Sequence, residues 1–585
     1  MDAAGVLVSC SVACNSVPRR CSGIRLGRDW VLTTGSILST VLEDISGQNN
    51  VASWKSFVDT TNQGRLVRVQ DKLLLKSQVT FSVITSHVTS SNDQISFTNN
   101  NLGFKEGNCS PTNKQFPTIP PKSGGYVQCN NEKLGSSLSI ALEQPLVSSD
   151  ACGKHEEFKC VLKYIFRSTL VSEAVDTILS SWVLGSTLSN EDDSNVDTES
   201  EIAKNLISMF LILKLQTDND DSSEVNEYDA FVNMLRGMFE PEEEVLKRGQ
   251  FVVVESTPFG NCYFHNSISQ GIISNVLGPG HCLLLTDAST AIGCEGGPIS
   301  VIKQRDEKLG RRLIGMVLCS ISWWRGEWIG FTLGVALQPV VHRLLSDASL
   351  SKSLPLMPPD TSSDRLAGVD DCVVLVRCGV SWGSGVTIDC LDGIVLTCSH
   401  VVRNARNGGV WIYRKNRRFA ASVLFRSRDG LAYDVAVLRV GPGLALSSVK
   451  VSSNAAVKGE PVIAAGFSLF SENDNVQPTV TRGIVTHVSN PVAVLQTSCC
   501  IQSGASGGAL FRCTGDLVGI ISCNIMDTSS KALFPRINMA VPASVLAEPL
   551  NAFLRTGDMQ FLADMESKDP VIQRLWKLQT TVSKL

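Results

Sequence analysis

Two widely separated stretches of this chain carry the same markers in the same order, and that repetition constrains the fold more than any other feature. Gly249-Gln-Phe-Val-Val-Val is matched by Gly459-Glu-Pro-Val-Ile-Ala, and Gln270-Gly271-Ile272-Ile273 by Arg482-Gly483-Ile484-Val485. Gly293-Cys294-Glu295-Gly296-Gly297 is matched by Gly504-Ala505-Ser506-Gly507-Gly508, and further upstream Trp30-Val-Leu-Thr-Thr-Gly-Ser36 by Ile394-Val-Leu-Thr-Cys-Ser-His400. The three glycine markers are 22 and 22 residues apart in the first copy and 24 and 21 in the second. Self-similarity in fixed order points to a duplicated architecture.

The repeated unit reads as β-structure. Short apolar runs alternate with turn residues at Cys372–Arg377, Gly393–Thr397, Val435–Val440, Pro461–Ala465, Gly483–Val488 and Leu517–Ser522, a spacing suited to a sandwich or barrel. A linker rich in Ser, Pro and Asp, with Pro355, Pro358 and Pro359, divides the copies. The expected plan is a first copy over residues 1–340, a linker over 341–370, a second copy over 371–556 and a tail over 557–585. The first copy holds a large stretch, 40–245, read as an insertion. Its charge runs at Glu191–Glu201, Asp218–Glu227 and Glu240–Glu244 read as solvated loops or as a partner-binding surface.

Bulk properties exclude several classes. A net charge of -4 without a long Lys/Arg cluster speaks against nucleic acid as a partner. The most apolar stretch, Leu313 to Leu337, is interrupted by Arg325 and Glu327 and reads as buried strands, not a membrane span. The 19 cysteines are irregularly spaced, with Cys499 and Cys500 adjacent. They suit buried thiols in a reducing compartment better than a disulfide framework or a zinc site, and no metal or other cofactor is expected. The chain ends in Ser583-Lys584-Leu585. A free C-terminus of this kind is an address for the peroxisomal matrix, with the import receptor as its partner.

Chemistry concentrates in the second copy. Ser506 lies in Ser503-Gly-Ala-Ser-Gly-Gly508, where glycines permit a loop with its amides turned outward. The N–H groups of Gly504 and Ser506 would then hold an oxyanion. The same letters fit the nucleophile elbow of α/β-hydrolases, but that fold needs a histidine after the serine and the last histidine is His487. His400 ends a strand and has a side chain whose pKa suits general base and acid. Asp434 opens the apolar run Asp434-Val-Ala-Val-Leu438, where a carboxylate needs a partner; Asp429, in a Ser-Arg-Asp-Gly turn, is the competitor. The order His400, Asp434, Ser506, with spacings of 34 and 72, points to acyl transfer by an activated serine. The first copy has Ser36 and Glu295 where the second has His400 and Ser506, so it lacks base and nucleophile. Its third position stays open between Asp229 and other acids.

These motifs resemble those of the chymotrypsin-like serine proteases: Thr397-Cys-Ser-His400, Asp434-Val-Ala-Val-Leu438 and Gly504-Ala-Ser-Gly-Gly508. Ala505 departs from the secreted members, which place Asp or Asn there, and is closer to the Deg/HtrA branch. With the Ser-Lys-Leu end and the degenerate first copy, the whole chain resembles the peroxisomal leader-peptide-processing proteases. The resemblance implies a mostly β chymotrypsin-like double barrel preceded by a degenerate protease-like half. It implies removal of type 2 targeting peptides from imported matrix enzymes and cleavage of some type 1-targeted β-oxidation enzymes. Self-cleavage and self-association are also implied. By the protease fold, Cys500 should form the base of the specificity pocket and Ile521, Ser522 and Cys523 one wall. None is acidic, which favours a modest apolar or thiol side chain in the substrate over Arg or Lys. Self-cleavage after a cysteine would fall at Cys129 or, second, Cys109, both in polar segments. The alternative functions are a silent protease-fold scaffold or chaperone, and an esterase or thioesterase using the same three residues.

Overall fold

The computed structural model describes residues 4–12, 18–39, 64–68, 79–86, 155–179, 203–216, 224–239, 246–305, 308–324, 327–346, 367–405, 409–414, 417–429, 431–441, 447–468, 477–526 and 533–577. Cys109, Cys129, the charge runs Glu191–Glu201 and Glu240–Glu244, and Ser583, Lys584 and Leu585 lie outside them. Nearly all the described residues fall in one compact unit, residues 1–85 and 156–585.

Four antiparallel β-rings follow one another along the chain. The first uses Ala4–Val12, Arg19–Leu26, Trp30–Thr34, Val79–Ser86, His155–Arg167 and Met209–Leu215, with the short strand Val67–Arg68 added at one side. The second uses Phe251–Ser256, Ser267–Leu277, Leu283–Thr286, Pro298–Arg305, Lys308–Trp324 and Glu327–Ala336. The third runs through Val373–Cys378, Ser381–Asp389, Ile394–Thr397, Val410–Arg414, Arg417–Arg426 and Ala436–Val440. The fourth runs through Pro461–Gly466, Thr479–Val488, Leu495–Thr497, Ala509–Arg512, Leu517–Met526 and Leu533–Pro542. With the six strands of each ring numbered from one, the order around all four is 1-2-3-6-5-4. The molecule is therefore mostly β, a double barrel repeated.

This plan refines the reading of residues 40–245. Strands Val79–Ser86, His155–Arg167 and Met209–Leu215 all lie in that stretch and supply half of the first ring. The long spacers between them hid the strand periodicity. Leu313 to Leu337 falls almost entirely in two paired strands of the second barrel. Among the described residues, no helix is long and apolar enough to cross a membrane.

Local chemistry explains the strands. Val373–Cys378 is rich in β-branched residues and is buried at every position but Arg377. It reverses through a tight hairpin in which Cys378 pairs with Ser381 and Gly379 takes φ +61°, a conformation that glycine adopts without steric cost. Ile394–Thr397 is buried throughout because it lies between two neighbouring strands inside the third barrel. Fifteen cysteines of the described residues are free, most of them buried as small apolar side chains.

The second and fourth barrels interlock. Asn275 Nδ2 donates to Gln477 O (3.0 Å) and Thr479 Oγ1 (3.3 Å). The buried Asp287 accepts from Ile272 N (2.7 Å) in its own half and from Arg482 N (3.1 Å) in the other. Burial pushes the Asp287 carboxyl upward, while those two amides and Arg536 oppose the shift.

Candidate active site

His400 sits just past the strand Ile394–Thr397, in a turn fixed by side chains. Thr397 Oγ1 donates to Ser384 O (2.6 Å), Cys398 Sγ to Ile521 O (3.1 Å) and Ser399 Oγ to Ser427 O (2.7 Å). The turn is thereby tied to both barrels of the second half. Asp434 stands two residues before the strand Ala436–Val440, which pairs with the His400 strand. Its Oδ1 accepts from His400 N (3.0 Å) and its Oδ2 lies 2.5 Å from His400 Nδ1. A carboxylate can only accept, so Nδ1 carries the proton and Nε2 is left as the acceptor. Asp434 is 5% exposed, and its buried charge gains a further donor, Ser522 Oγ at 3.1 Å.

Ser506 is set on the loop between Thr497 and Ala509. Gly504 takes φ +91° and Gly507 φ +84°. A Cβ on Gly504 would fall 2.2 Å from the Trp382 ring and 2.3 Å from Phe467 O, so only glycine fits. Ser384 clamps the loop: its N donates to Ser506 O (2.7 Å), and its Oγ donates to Gly504 O (2.7 Å) and accepts from Phe467 N (2.8 Å). The intervening amides are used inside the loop, Ala505 N on Gln502 O (3.0 Å) and Gly507 N on Ile521 O (2.8 Å). Among the described residues, no hydrogen bond engages the N–H of Gly504 or of Ser506. Ser506 Oγ donates to Ser522 O at 2.9 Å, and no hydrogen bond of the described residues joins it to His400.

Ser522 thus has two roles that its sequence context does not announce. Its hydroxyl holds Asp434 and its carbonyl holds the Ser506 hydroxyl. The other residues expected around a specificity pocket are dispersed. Ile521 packs inside the fourth barrel, and Cys523 is 8% exposed within the larger core shared with the third barrel. Cys500 is buried against the first half: a Cβ on Gly330 would lie 2.8 Å from its Sγ. Burial pushes the Cys500 thiol up to about 11, so it stays protonated at neutral pH. Cys398 Sγ, a His400 ring nitrogen and an Asp434 oxygen lie within 4.8 Å of one another, a donor set that a metal ion could use. The hydrogen bonds already described account for each of the three.

The first half preserves this scaffold with other side chains. Ser22 repeats Ser384: its Oγ donates to Gly293 O (2.9 Å) and accepts from Thr257 N (2.8 Å). Thr33 Oγ1 donates to Ser22 O (2.8 Å), as Thr397 does to Ser384. Gly293 and Gly296 take φ +91° and +86°, close to Gly504 and Gly507. Strand register settles the position that the sequence leaves open. Leu211 pairs with Thr33 as Ala436 pairs with Thr397, so Met209 stands where the second half has Asp434. Likewise Val317 N meets Gly297 O as Ile521 N meets Gly508 O, so Leu318 stands for Ser522. Glu295 turns back onto its own loop, with its Oε2 accepting from Gly293 N at 2.7 Å and the carboxylate also held by its own N–H.

Residues 383–520 match the model of the trypsin-like peptidase domain. Over 362 residues the chain is 33% identical to the peroxisomal leader peptide-processing protease of Mus musculus, a match covering 58% of this chain and 61% of that protein. Over 411 residues it is 31% identical to the protein of the same name from Homo sapiens, covering 63% and 70%. The serine endoprotease DegS of Haemophilus influenzae is 31% identical over 183 residues, 30% of this chain and 51% of that one. The likeness to the mouse protein therefore spans less than two thirds of that protein's length.

Proposed function

Because the chain belongs to the family of peroxisomal leader peptide-processing proteases, we propose that it is a serine endopeptidase that cuts leader peptides from proteins of the peroxisome. The observation that carries this reading is the Asp434–His400 pair, with Nδ1 on the carboxylate and Nε2 left as acceptor, beside a serine whose loop offers two unengaged amides.

The proposed reaction starts as Ser506 Oγ turns from the Ser522 carbonyl toward His400 Nε2. Nε2 takes the hydroxyl proton while Oγ bonds to the scissile carbonyl carbon, whose oxygen becomes an oxyanion. The N–H groups of Gly504 and Ser506 stabilise that charge only once it has formed. Asp434 keeps the tautomer and steadies the imidazolium. His400 then gives its proton to the leaving amine as the C–N bond breaks, and water repeats the sequence on the acyl-enzyme.

The Ser583-Lys584-Leu585 sequence supports delivery to the matrix through the import receptor, and the substrates then are matrix enzymes with type 2 or type 1 targeting. Self-association and self-cleavage at Cys129 or Cys109 belong to the same proposal. Fluorophosphonate labelling of the full chain tests it. The label should appear on the Ser506 peptide and vanish in Ser506→Ala. A folded sample that takes no label would overturn the hydrolase reading in favour of a protease-fold scaffold.

A further inference from the structure

The helix Ala543–Thr556 ends at Gly557, which takes φ +72° in a left-handed cap, and the chain continues into Gln560–Ala563 and Pro570–Lys577. This tail returns to the loop that carries Asp434. Trp576 is 3% exposed, and its Nε1 donates to Ala493 O at 3.2 Å. Its ring meets that of Tyr433 edge-on, at 5.9 Å between centroids and 73° between planes. Tyr433 immediately precedes Asp434 and takes φ +64°, a left-handed backbone that a residue with a side chain adopts only at a cost. On the other side of the loop, Arg428 N, Nε and Nη2 all donate to Glu566, at 2.7, 3.2 and 3.0 Å. Leu562 and Met565 join the core of the third barrel.

The geometry points to a role for this tail beyond carrying a targeting signal: Trp576 and Glu566 are positioning residues that hold Asp434 in place through Tyr433 and Arg428. The inference rests on the serine-protease reading given above. The loop 427–435 is tied on its inner side by Ser427 N to Val435 O (2.9 Å), Val435 N to Ser427 Oγ (3.1 Å) and Ser399 Oγ to Ser427 O. Tyr433 takes part in none of these three; its carbonyl accepts from Val435 N at 3.0 Å, a bond that spans Asp434 and leaves the Tyr433 ring to be held by its packing neighbours. Relaxation of Tyr433 out of its left-handed conformation would rotate the next residue, Asp434, away from both His400 nitrogens. The buried Trp576 ring packs edge-on against the Tyr433 ring and so restrains its movement. Burial, and after it the neighbouring Asp569, pushes the Tyr433 phenol up to about 12, so the contact is between neutral rings across the working pH range. The brace is thus apolar where it is buried and ionic at its rim, where Arg428 is 75% exposed.

The test uses the full chain and two readouts, the rate of fluorophosphonate labelling at Ser506 and kcat and KM on a peptide substrate. Trp576→Ala is expected to lower kcat and labelling rate about 10- to 100-fold, the range that follows from a misplaced catalytic group, with KM within about twofold. Trp576→Phe keeps the ring edge and should recover most of that loss. Glu566→Gln keeps the shape of the side chain and should cost about two- to fivefold, as expected for an ion pair exposed on its arginine side. In an Asp434→Asn background, Trp576→Ala should cost little more, because the group it positions is already lost. Equal labelling rates for wild type and folded Trp576→Ala would overturn the brace while leaving the protease reading intact. So would an undiminished effect of Trp576→Ala in the Asp434→Asn background. If Trp576→Ala does not fold, full activity in Glu566→Gln would do the same. A wild type that takes no label fails the protease reading itself.

Discussion

The first and second halves share a strand order, a pair of left-handed glycines in the site loop and a serine–threonine network with the same partners, and they differ in the few side chains that chemistry needs. Ser22 and Ser384 each bind a glycine carbonyl and a loop amide. Around those clamps, His400, Asp434, Ser506 and Ser522 face Ser36, Met209, Glu295 and Leu318 at the matching positions. The site loop is therefore held by backbone conformation and neutral hydrogen bonds, which persist when the reactive groups are gone. The reverse dependence is stronger, since the reactive groups have no geometry without the loop. Glu295 shows the consequence: the matching loop of the first half folds its amides onto a side chain of its own.

The widest separation between the halves should come from the nucleophile. Ser506→Ala is expected to reduce kcat/KM by about 10⁴-fold or more, whereas Glu295→Ala should leave peptide turnover within about twofold of wild type, as expected for a change remote from the reacting atoms. Matched turnover assays check both, and a large loss in Glu295→Ala would mean that the halves share one site.

Next come the paired glycines. Gly504→Ala forces a methyl into the Trp382 ring and displaces two oxyanion amides, for an expected loss of about 10²- to 10³-fold in kcat. Gly293→Ala meets Gly260 N at 2.2 Å and should lower the unfolding midpoint of the first half without changing the labelling rate of the folded fraction. Thermal unfolding run beside labelling separates the two outcomes.

A smaller effect is expected at the residue that only the second half possesses. Ser522→Ala removes the hydroxyl on Asp434 but keeps the carbonyl under Ser506. Losing one hydrogen bond to a charged group should cost about tenfold in kcat. An unchanged kcat in the folded variant would assign Ser522 to folding alone.

The smallest effect concerns Glu295. Burial pushes its carboxyl above the ordinary 4.5, with its own amide, Gly293 N–H and Arg19 opposing. The folded state then keeps a proton that the unfolded chain has lost, so stability falls as pH rises from about 4.5 through the folded value. Glu295→Gln keeps an acceptor without the charge. It should flatten that decline and raise the midpoint at pH 7 by about 1–2 °C, as expected for a small gain in a domain of this size. A lower midpoint for Glu295→Gln at pH 7 would mean that the amides hold the charge more strongly than burial penalises it.

How much of this was legible before folding varied by residue. The duplication, the mostly β class and the order His400, Asp434, Ser506 can be read directly, because short apolar runs between glycine turns leave local marks and the motifs are contiguous. Met209 could not be read, since its equivalence to Asp434 exists only through pairing across to Thr33, with long spacers between. Ser522 carries no local sign that its two polar groups serve Asp434 and Ser506, partners 88 and 16 residues away. The burial of Cys500 against Gly330 of the first half is a contact between the two copies that no local pattern marks. The motifs and the repeat can be read from the chain alone, because residue identity and turn-forming glycines do not depend on folding. Tertiary structure decided which residues hold that chemistry in place, because a hydrogen bond or a ring contact depends on distance in space, and strand pairing and the returning tail set those distances.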